Sequence, residues 1–269
     1  MSILTDFHTH SYFSGDCNTP TEDMIQKAIS LGMTHLCLTE HLDLDYPSRE
    51  QLDFNLNIDA YLSKVSMLKE KYQQQIQILW GVELGIQSHI IPTLHDYVQK
   101  YPFDFIIGSS HLAHGKDPYY LDFYEERTEE EAYREYFTSI LENVQEFTDY
   151  DVYGHLDYVV RYGPNKDTRY SYEKYRDILD KILETILSKG KGIELNTGGL
   201  KSGLKDVHPC TDILKQYKKL GGEIITIGSD AHVPQYLTHH FDRAEEVLKN
   251  CGFEYYTIFK NRKPSFIKL

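Results

Sequence analysis

The stretch Ile3-Leu4-Thr5-Asp6-Phe7-His8-Thr9-His10, followed by Thr19-Pro20-Thr21-Glu22 and by Met24, Ile25, Ala28 and Ile29 up to Gly32, decides the fold. Its opening residues form a short apolar run that turns polar, which predicts a strand over Ile3–His8. Thr19 can cap a helix, Pro20 suits the first helical position, and Glu22 completes a capping box. The apolar residues that follow share one helix face, and Gly32 suits its end. Together they predict one strand–loop–helix unit.

The same unit recurs along the chain. Further strands are expected at His35–Thr39, Ile76–Val82, Phe105–Gly108, Val152–His155, Gly192–Asn196 and Ile224–Gly228, with Phe253–Phe259 as a possible closing strand. Helical stripes lie at Ile58, Tyr61, Leu62, Val65 and Leu68; at Tyr175, Ile178, Leu179, Ile182 and Ile186; and at Ala244, Val247, Leu248 and Cys251. The second of these stops near Gly190 and the third at Gly252. About seven βα units imply an α/β protein with a parallel sheet and helices outside it. No linker or low-complexity tract divides residues 1–269, so one domain is expected. Its length of 269 residues is normal for a (β/α) barrel. Periodicity alone leaves a doubly wound open sheet as the alternative.

Composition narrows the function. The formal net charge of −13 counts against a nucleic-acid partner, because such binding rests on Lys and Arg. The four cysteines form no C-x-x-C pair. No secretory signal opens the chain, and no run approaches the roughly 18 apolar residues of a membrane span. A cytoplasmic protein with reduced thiols and no membrane partner is expected. Oligomeric state is not legible. Tyrosine, with 22 copies, has no functional reading at this level.

Chemistry gathers at the strand ends. The first strand leads into Asp6-x-His8-x-His10. Alternation would place these three side chains on one face, where two imidazoles could share a metal ion and Asp6 could orient one of them. Asp16 follows in the loop. The next strands end in Glu40-His41, Glu83, Ser110-His111 and Gly154-His155, and the seventh in Asp230-Ala231-His232. Taken singly, His41, His111 or His155 reads as a hydrogen-bonded or surface residue, Asp16 as a turn or cap residue, and Glu83 as an ion-pair partner. Recurrence at one end of successive strands lifts the set, because barrel enzymes assemble their sites there. Imidazoles with carboxylates suit zinc, iron or manganese, and this many ligands could hold two or three divalent ions. The other histidines (His35, His89, His95, His114, His208, His239 and His240) lack that placement and read as structural or surface residues. The aromatic segment from Gly115 to Arg127 reads as part of a lid or as a surface loop packed by its own rings.

In this order, Asp6-x-His8-x-His10, Thr39-Glu40-His41, Glu83, Ser110-His111, Gly154-His155 and Asp230-x-His232 resemble the PHP (polymerase and histidinol phosphatase) superfamily. The segments Gly154-His155-Leu156-Asp157 and Glu194-Leu195-Asn196-Thr197 most resemble its monofunctional histidinol-phosphate phosphatases. The resemblance implies a distorted seven-stranded, TIM-like barrel with a trinuclear site. His8, His10, Glu83 and Asp230 would hold one ion. Glu83 would bridge to a second, completed by His111 and His155. Asp16, His41 and His232 would hold the third. The implied activity is hydrolysis of a small phosphate monoester, L-histidinol phosphate, to L-histidinol and phosphate in histidine biosynthesis, with a hydroxide bridging two metals as nucleophile. Asp230, His232 and Glu83 are then the catalytic candidates. Arg161 and Lys201 are candidates for the phosphate, and Glu194 and Asn196 for the amine and imidazole of the substrate. Competing expectations are a PHP phosphoesterase acting on nucleotides or DNA ends, a metal-dependent amidohydrolase, and a metal-binding barrel without activity.

Overall fold

The computed structural model describes residues 3–47 and 52–269. Seven parallel strands follow chain order: β1 (Thr5–Asp6), β2 (His35–Leu42), β3 (Gln77–Gly85), β4 (Phe105–Ser109), β5 (Val152–Tyr153), β6 (Gly192–Asn196) and β7 (Ile225–Gly228). The two outer strands then meet. Phe7 N–H donates to Ile227 O at 3.0 Å, Asp230 N–H to His8 O at 2.9 Å and His10 N–H to Ala231 O at 2.9 Å. That seam closes the ring, so the fold is a distorted (β/α)7 barrel and not an open sheet. The distortion lies partly in β1 and β5, which keep two residues each.

The connections carry helices α1 (Thr21–Ser30), α2 (Ile58–Tyr72), α3 (Ile91–Lys100), α4 (Glu129–Glu146), α5 (Tyr172–Ser188), α6 (Gly198–Lys201), α7 (Thr211–Lys219) and α8 (Phe241–Asn250). Gly32, Gly190 and Gly252 take the positive φ values of 71°, 66° and 88° that end α1, α5 and α8. The expected stripes do not cover α3, α4 and α7. For α4 the signal is in the sequence: Thr128 and Glu131 form a reciprocal capping box. Several tyrosines serve the helix–sheet interface. Tyr61 of α2 donates to Leu38 O and Gly81 O at 2.9 and 3.0 Å, Tyr136 of α4 to Ser110 O at 2.8 Å, and Tyr217 of α7 to Ile224 O at 2.9 Å. Each ring adds apolar area while its hydroxyl satisfies a main-chain carbonyl. Among the described residues, no helix is long and apolar enough to cross a membrane.

Three expectations need correction. The Phe253–Phe259 run does not close the barrel, because β1 already occupies the free edge of β7. Instead β8 (Tyr255–Lys260) pairs antiparallel with β9 (Lys263–Lys268) in a separate hairpin. Phe259 from that hairpin packs on Phe105 with ring centroids 5.1 Å apart, and Phe105 packs edge-on against Phe7 at 5.2 Å. Secondly, α1 starts at Thr21 with no side-chain cap. The Thr19 hydroxyl donates instead to His232 O at 2.7 Å, and Glu22 accepts from Lys71 Nζ and Tyr72 OH. An uncapped helix start costs about 1 kcal/mol relative to one with a Ser or Thr cap. Thirdly, the Asp6 carboxylate is spent on donors other than the imidazoles, including the main-chain N–H of His8 at 3.3 Å. Asp6 accepts from Ser229 Oγ at 2.5 Å, Ser229 N at 3.0 Å and Thr238 N at 3.2 Å. Burial raises its pKa to about 6 against those bonds.

The segment from Gly115 to Arg127 is anchored at single points, with Tyr119 and Leu121 exposed. Phe123 is buried and Tyr124 donates to Val159 O at 3.2 Å. Removing the ring that joins the hairpin to the barrel, by Phe259→Ala, is expected to cost about 3 kcal/mol. A lower denaturant midpoint, with the metal content of the folded protein unchanged, is the expected result.

Candidate metal centre

All nine candidate ligands lie at the carboxyl end of the strands, in one continuous cluster. Its centre is Glu83 near the end of β3, which has no exposed side-chain surface. Three imidazole nitrogens converge on Glu83 Oε2: His8 Nε2 at 3.1 Å, His41 Nδ1 at 3.0 Å and His10 Nε2 at 3.6 Å. The other oxygen, Oε1, lies 3.1 Å from His111 Nε2 and 2.9 Å from His155 Nε2, and accepts from Ser109 Oγ at 2.7 Å. Asp230 Oδ1 stands 3.6 Å from His10 Nε2 and 3.9 Å from His8 Nε2. Asp16 Oδ2 stands 3.3 Å from His232 Nε2 and 3.7 Å from His41 Nε2.

Several of these atoms are buried without a hydrogen-bond partner: Glu83 Oε2, His8 Nε2, His10 Nε2 and His41 Nδ1. Leaving one such group unsatisfied typically costs about 1–3 kcal/mol. Four orphaned atoms facing one another point to a shared cation. The ligand atoms form four overlapping triads compact enough for an ion: His8–His10–Asp230, His8–Glu83–His155, His41–Glu83–His111 and His10–His41–His232. The donor set, imidazole with carboxylate, fits zinc, manganese or iron.

Outer contacts fix the rings. His8 Nδ1 lies 2.7 Å from Glu194 Oε1 and His111 Nδ1 lies 2.7 Å from Asp43 Oδ1. A carboxylate accepts, so each Nδ1 carries a proton and each Nε2 is the ring atom aimed inward, where it can hold a second proton or bind a cation. His10 Nδ1 is 3.0 Å from Ser14 Oγ, which donates to Glu40 Oε2 at 2.7 Å. Burial opposes a charge on His8, but Glu194 and Glu83 outweigh it and raise its pKa. Burial and the neighbouring His41 and His232 push His10 well below its ordinary value. Burial disfavours the Glu83 charge, yet His8, His111 and His41 hold its carboxyl well below the usual range.

Above the cluster is a pocket lined in part by Tyr46, Phe54, Asp117, Tyr158, Arg161 and Lys201. Both guanidinium NH2 groups of Arg161 donate to Asp230 Oδ2, at 3.1 and 3.2 Å. Lys201 Nζ lies 4.7 Å from the Tyr236 ring centroid. Asp117 accepts from Tyr46 OH and from Tyr119 N–H. Glu194 and Asn196 are placed differently from expectation. Both are buried beneath His8, where Glu194 also accepts from His155 N–H at 3.1 Å and Asn196 Nδ2 at 3.2 Å. They therefore support a ring and do not line the mouth. Sequence reasoning also missed Asp43. His41-x-Asp43 repeats the i, i+2 spacing that made His8-x-His10 legible, so the signal was present.

Residues 6–198 match the PHP domain family. The chain belongs to that family. Among PHP relatives, it is 35% identical over 259 residues to the histidinol-phosphatase of Lactococcus lactis subsp. lactis, covering 96% of this chain and 95% of that protein. It is also similar to a crystal structure of the Lactococcus lactis histidinol phosphate phosphatase complexed with zinc, L-histidinol and phosphate. The TM-score is 0.89 and the identity 33%, over 98% of this chain and 99% of that one. A solved structure from Listeria monocytogenes shares the fold at TM-score 0.79 and 19% identity, covering 89% of this chain and 99% of its own.

The contact behind His8 gives a direct test. Glu194→Gln removes the charge that fixes the proton on Nδ1. Metal affinity, measured by chelator competition, is expected to fall about 10-fold or more.

Proposed function

We propose that this chain is a metal-dependent phosphomonoesterase that hydrolyses L-histidinol phosphate to L-histidinol and phosphate, a step of histidine biosynthesis. The observation that carries the proposal is the convergence of orphaned imidazole nitrogens on Glu83 Oε2 beneath a pocket bearing both cationic and anionic side chains. The likeness to a protein crystallised with zinc, L-histidinol and phosphate supports the substrate.

In this reading His8, His10, Glu83 and Asp230 hold one ion. Glu83 reaches a second with His111 and His155, and Asp16, His41 and His232 hold a third. Bound divalent ions would acidify a water toward neutral pH and neutralise charge developing on the phosphoryl group. The chain's own residues then bind, orient and shield. Arg161 offers a forked cation to a phosphate oxygen, and its bond to Asp230 holds that fork at the cluster. Lys201 adds a second positive charge at the rim. Glu194 and Ser14 hold the imidazoles of His8 and His10 with Nε2 aimed inward, and His232 forms the wet edge of the site. Asp117 and Asp43, with Tyr46, Phe54 and Tyr158, give the cationic end of the substrate an acidic and aromatic wall.

The net charge of −13 favours a small-molecule partner over nucleic acid. Residues 1–269 act as one domain, which the shared core of barrel and hairpin around Phe259 supports. The four free thiols suit the cytoplasm.

Phosphate release should be measured on L-histidinol phosphate beside a nucleotide panel, DNA ends and an aryl phosphate. Selective release from histidinol phosphate is the expected outcome; turnover of nucleotides with histidinol phosphate ignored would overturn the substrate. Stripping metal should abolish activity and zinc or manganese should restore it. Asp230→Ala should lower kcat/KM by about 10³-fold or more, since several kcal/mol of charge stabilisation depend on the ion it helps hold. Near-normal turnover in that variant would sink the ligand assignment.

A further inference from the structure

Asp16 and His232 differ from the other candidate ligands. Their side chains are 34% and 24% exposed. The other seven range from fully buried to 10% exposed. They stand on the loops that follow β1 and β7. The seam between those strands ends at the bond from His10 N–H to Ala231 O.

One residue later, side chains replace the ladder. The His232 carbonyl accepts from Thr19 Oγ1 at 2.7 Å and from Cys17 Sγ at 3.0 Å. The carbonyl of Thr19 in turn accepts from Tyr12 N–H at 2.8 Å, closing the loop that carries Asp16 on itself. Thr19 thus pins that loop to the residue whose imidazole faces Asp16.

We propose that Thr19 is a positioning residue for the outermost metal ion. Its hydroxyl clasps the two loops at the separation that Asp16, His41 and His232 need to share an ion. The inference rests on the metal reading given under Proposed function. Without the clasp, the outer ion leaves first. The inner ligands stay in place, because the strand ladder and Glu194 hold them.

The test compares wild type, Thr19→Val, Thr19→Ser and His232→Ala, each loaded with zinc. Zinc per chain is measured by elemental analysis after dialysis, and zinc release to a chromogenic chelator is followed in time. Thr19→Val should weaken the most labile ion by about 10- to 100-fold and leave the slower release phases at wild-type rates. Thr19→Ser, which keeps the hydroxyl, should behave as wild type. In a His232→Ala background Thr19→Val should add nothing, because the ion it serves is already lost. Wild-type release from Thr19→Val, equal loosening of every ion, failure of Thr19→Ser to rescue, or additivity with His232→Ala would each overturn the inference. A wild type that binds no zinc would overturn the metal reading itself, whereas a fully loaded wild type with an unaffected Thr19→Val overturns only the clasp.

Discussion

The carboxylate of Glu83 is buried without exposed surface, and its Oε2 faces nitrogens of His8, His10 and His41. A charge in that place loses several kcal/mol of hydration, which the hydrogen bond from Ser109 and nearby positive charge must offset. Protons on the imidazoles can supply that charge, and so can cations between them. For His8 and His111 the Nδ1 proton is already committed outward, to Glu194 and Asp43. Their remaining nitrogens therefore offer lone pairs toward Glu83 unless a second proton or a metal ion intervenes. Metal affinity and stability of the barrel's upper half are in this way one quantity.

The barrel can carry such a cluster because its two ends do different work. Below the ligands, Phe7, Leu79, Phe105, Ile107 and Val152 form an apolar plug with Phe259 from the hairpin. Above it nearly every inward position is ionisable or polar. Burial of the plug stabilises the ring independently of the metals. The strand ends can then hold groups that would destabilise a smaller domain.

The strand ends were legible in the sequence because their signals are local. His8-x-His10 and Asp230-x-His232 each declare themselves within three residues, and the expected strand Gly192–Asn196 has the observed bounds of β6. The supports were not legible. Glu194 lies 186 positions from the His8 ring it fixes, and no spacing rule connects them. Proximity to the strand end made Glu194 and Asn196 read as substrate contacts, whereas burial places them under the ligand. The Phe253–Phe259 run failed for a related reason: its apolar pattern is real, but whether it joins the ring depends on how many strands the ring already has. Closure was equally invisible, since it rests on three hydrogen bonds between the first and seventh strands.

Three departures from local rules lie beside the site. Asp230 adopts a φ of 56°, a left-handed conformation unusual outside glycine. Its N–H reaches His8 O and its carboxylate reaches Arg161, so neighbours that follow β1 and β5 hold the turn in place. At Gly228 a Cβ would stand 2.3 Å from His8 Cβ and from Glu194 Oε1, so only glycine leaves room for the Glu194–His8 pair. Pro20 stands at the cap position of α1 and offers no side-chain acceptor, while Thr19 before it gives its hydroxyl to His232 O. Each departure lowers local stability and serves the same cluster. A sequence tuned for stability alone would place a less strained residue at 230 and a cap at the start of α1. That both positions forgo it together, on loops that meet only in the folded ring, ties their cost to what the ring holds at its centre.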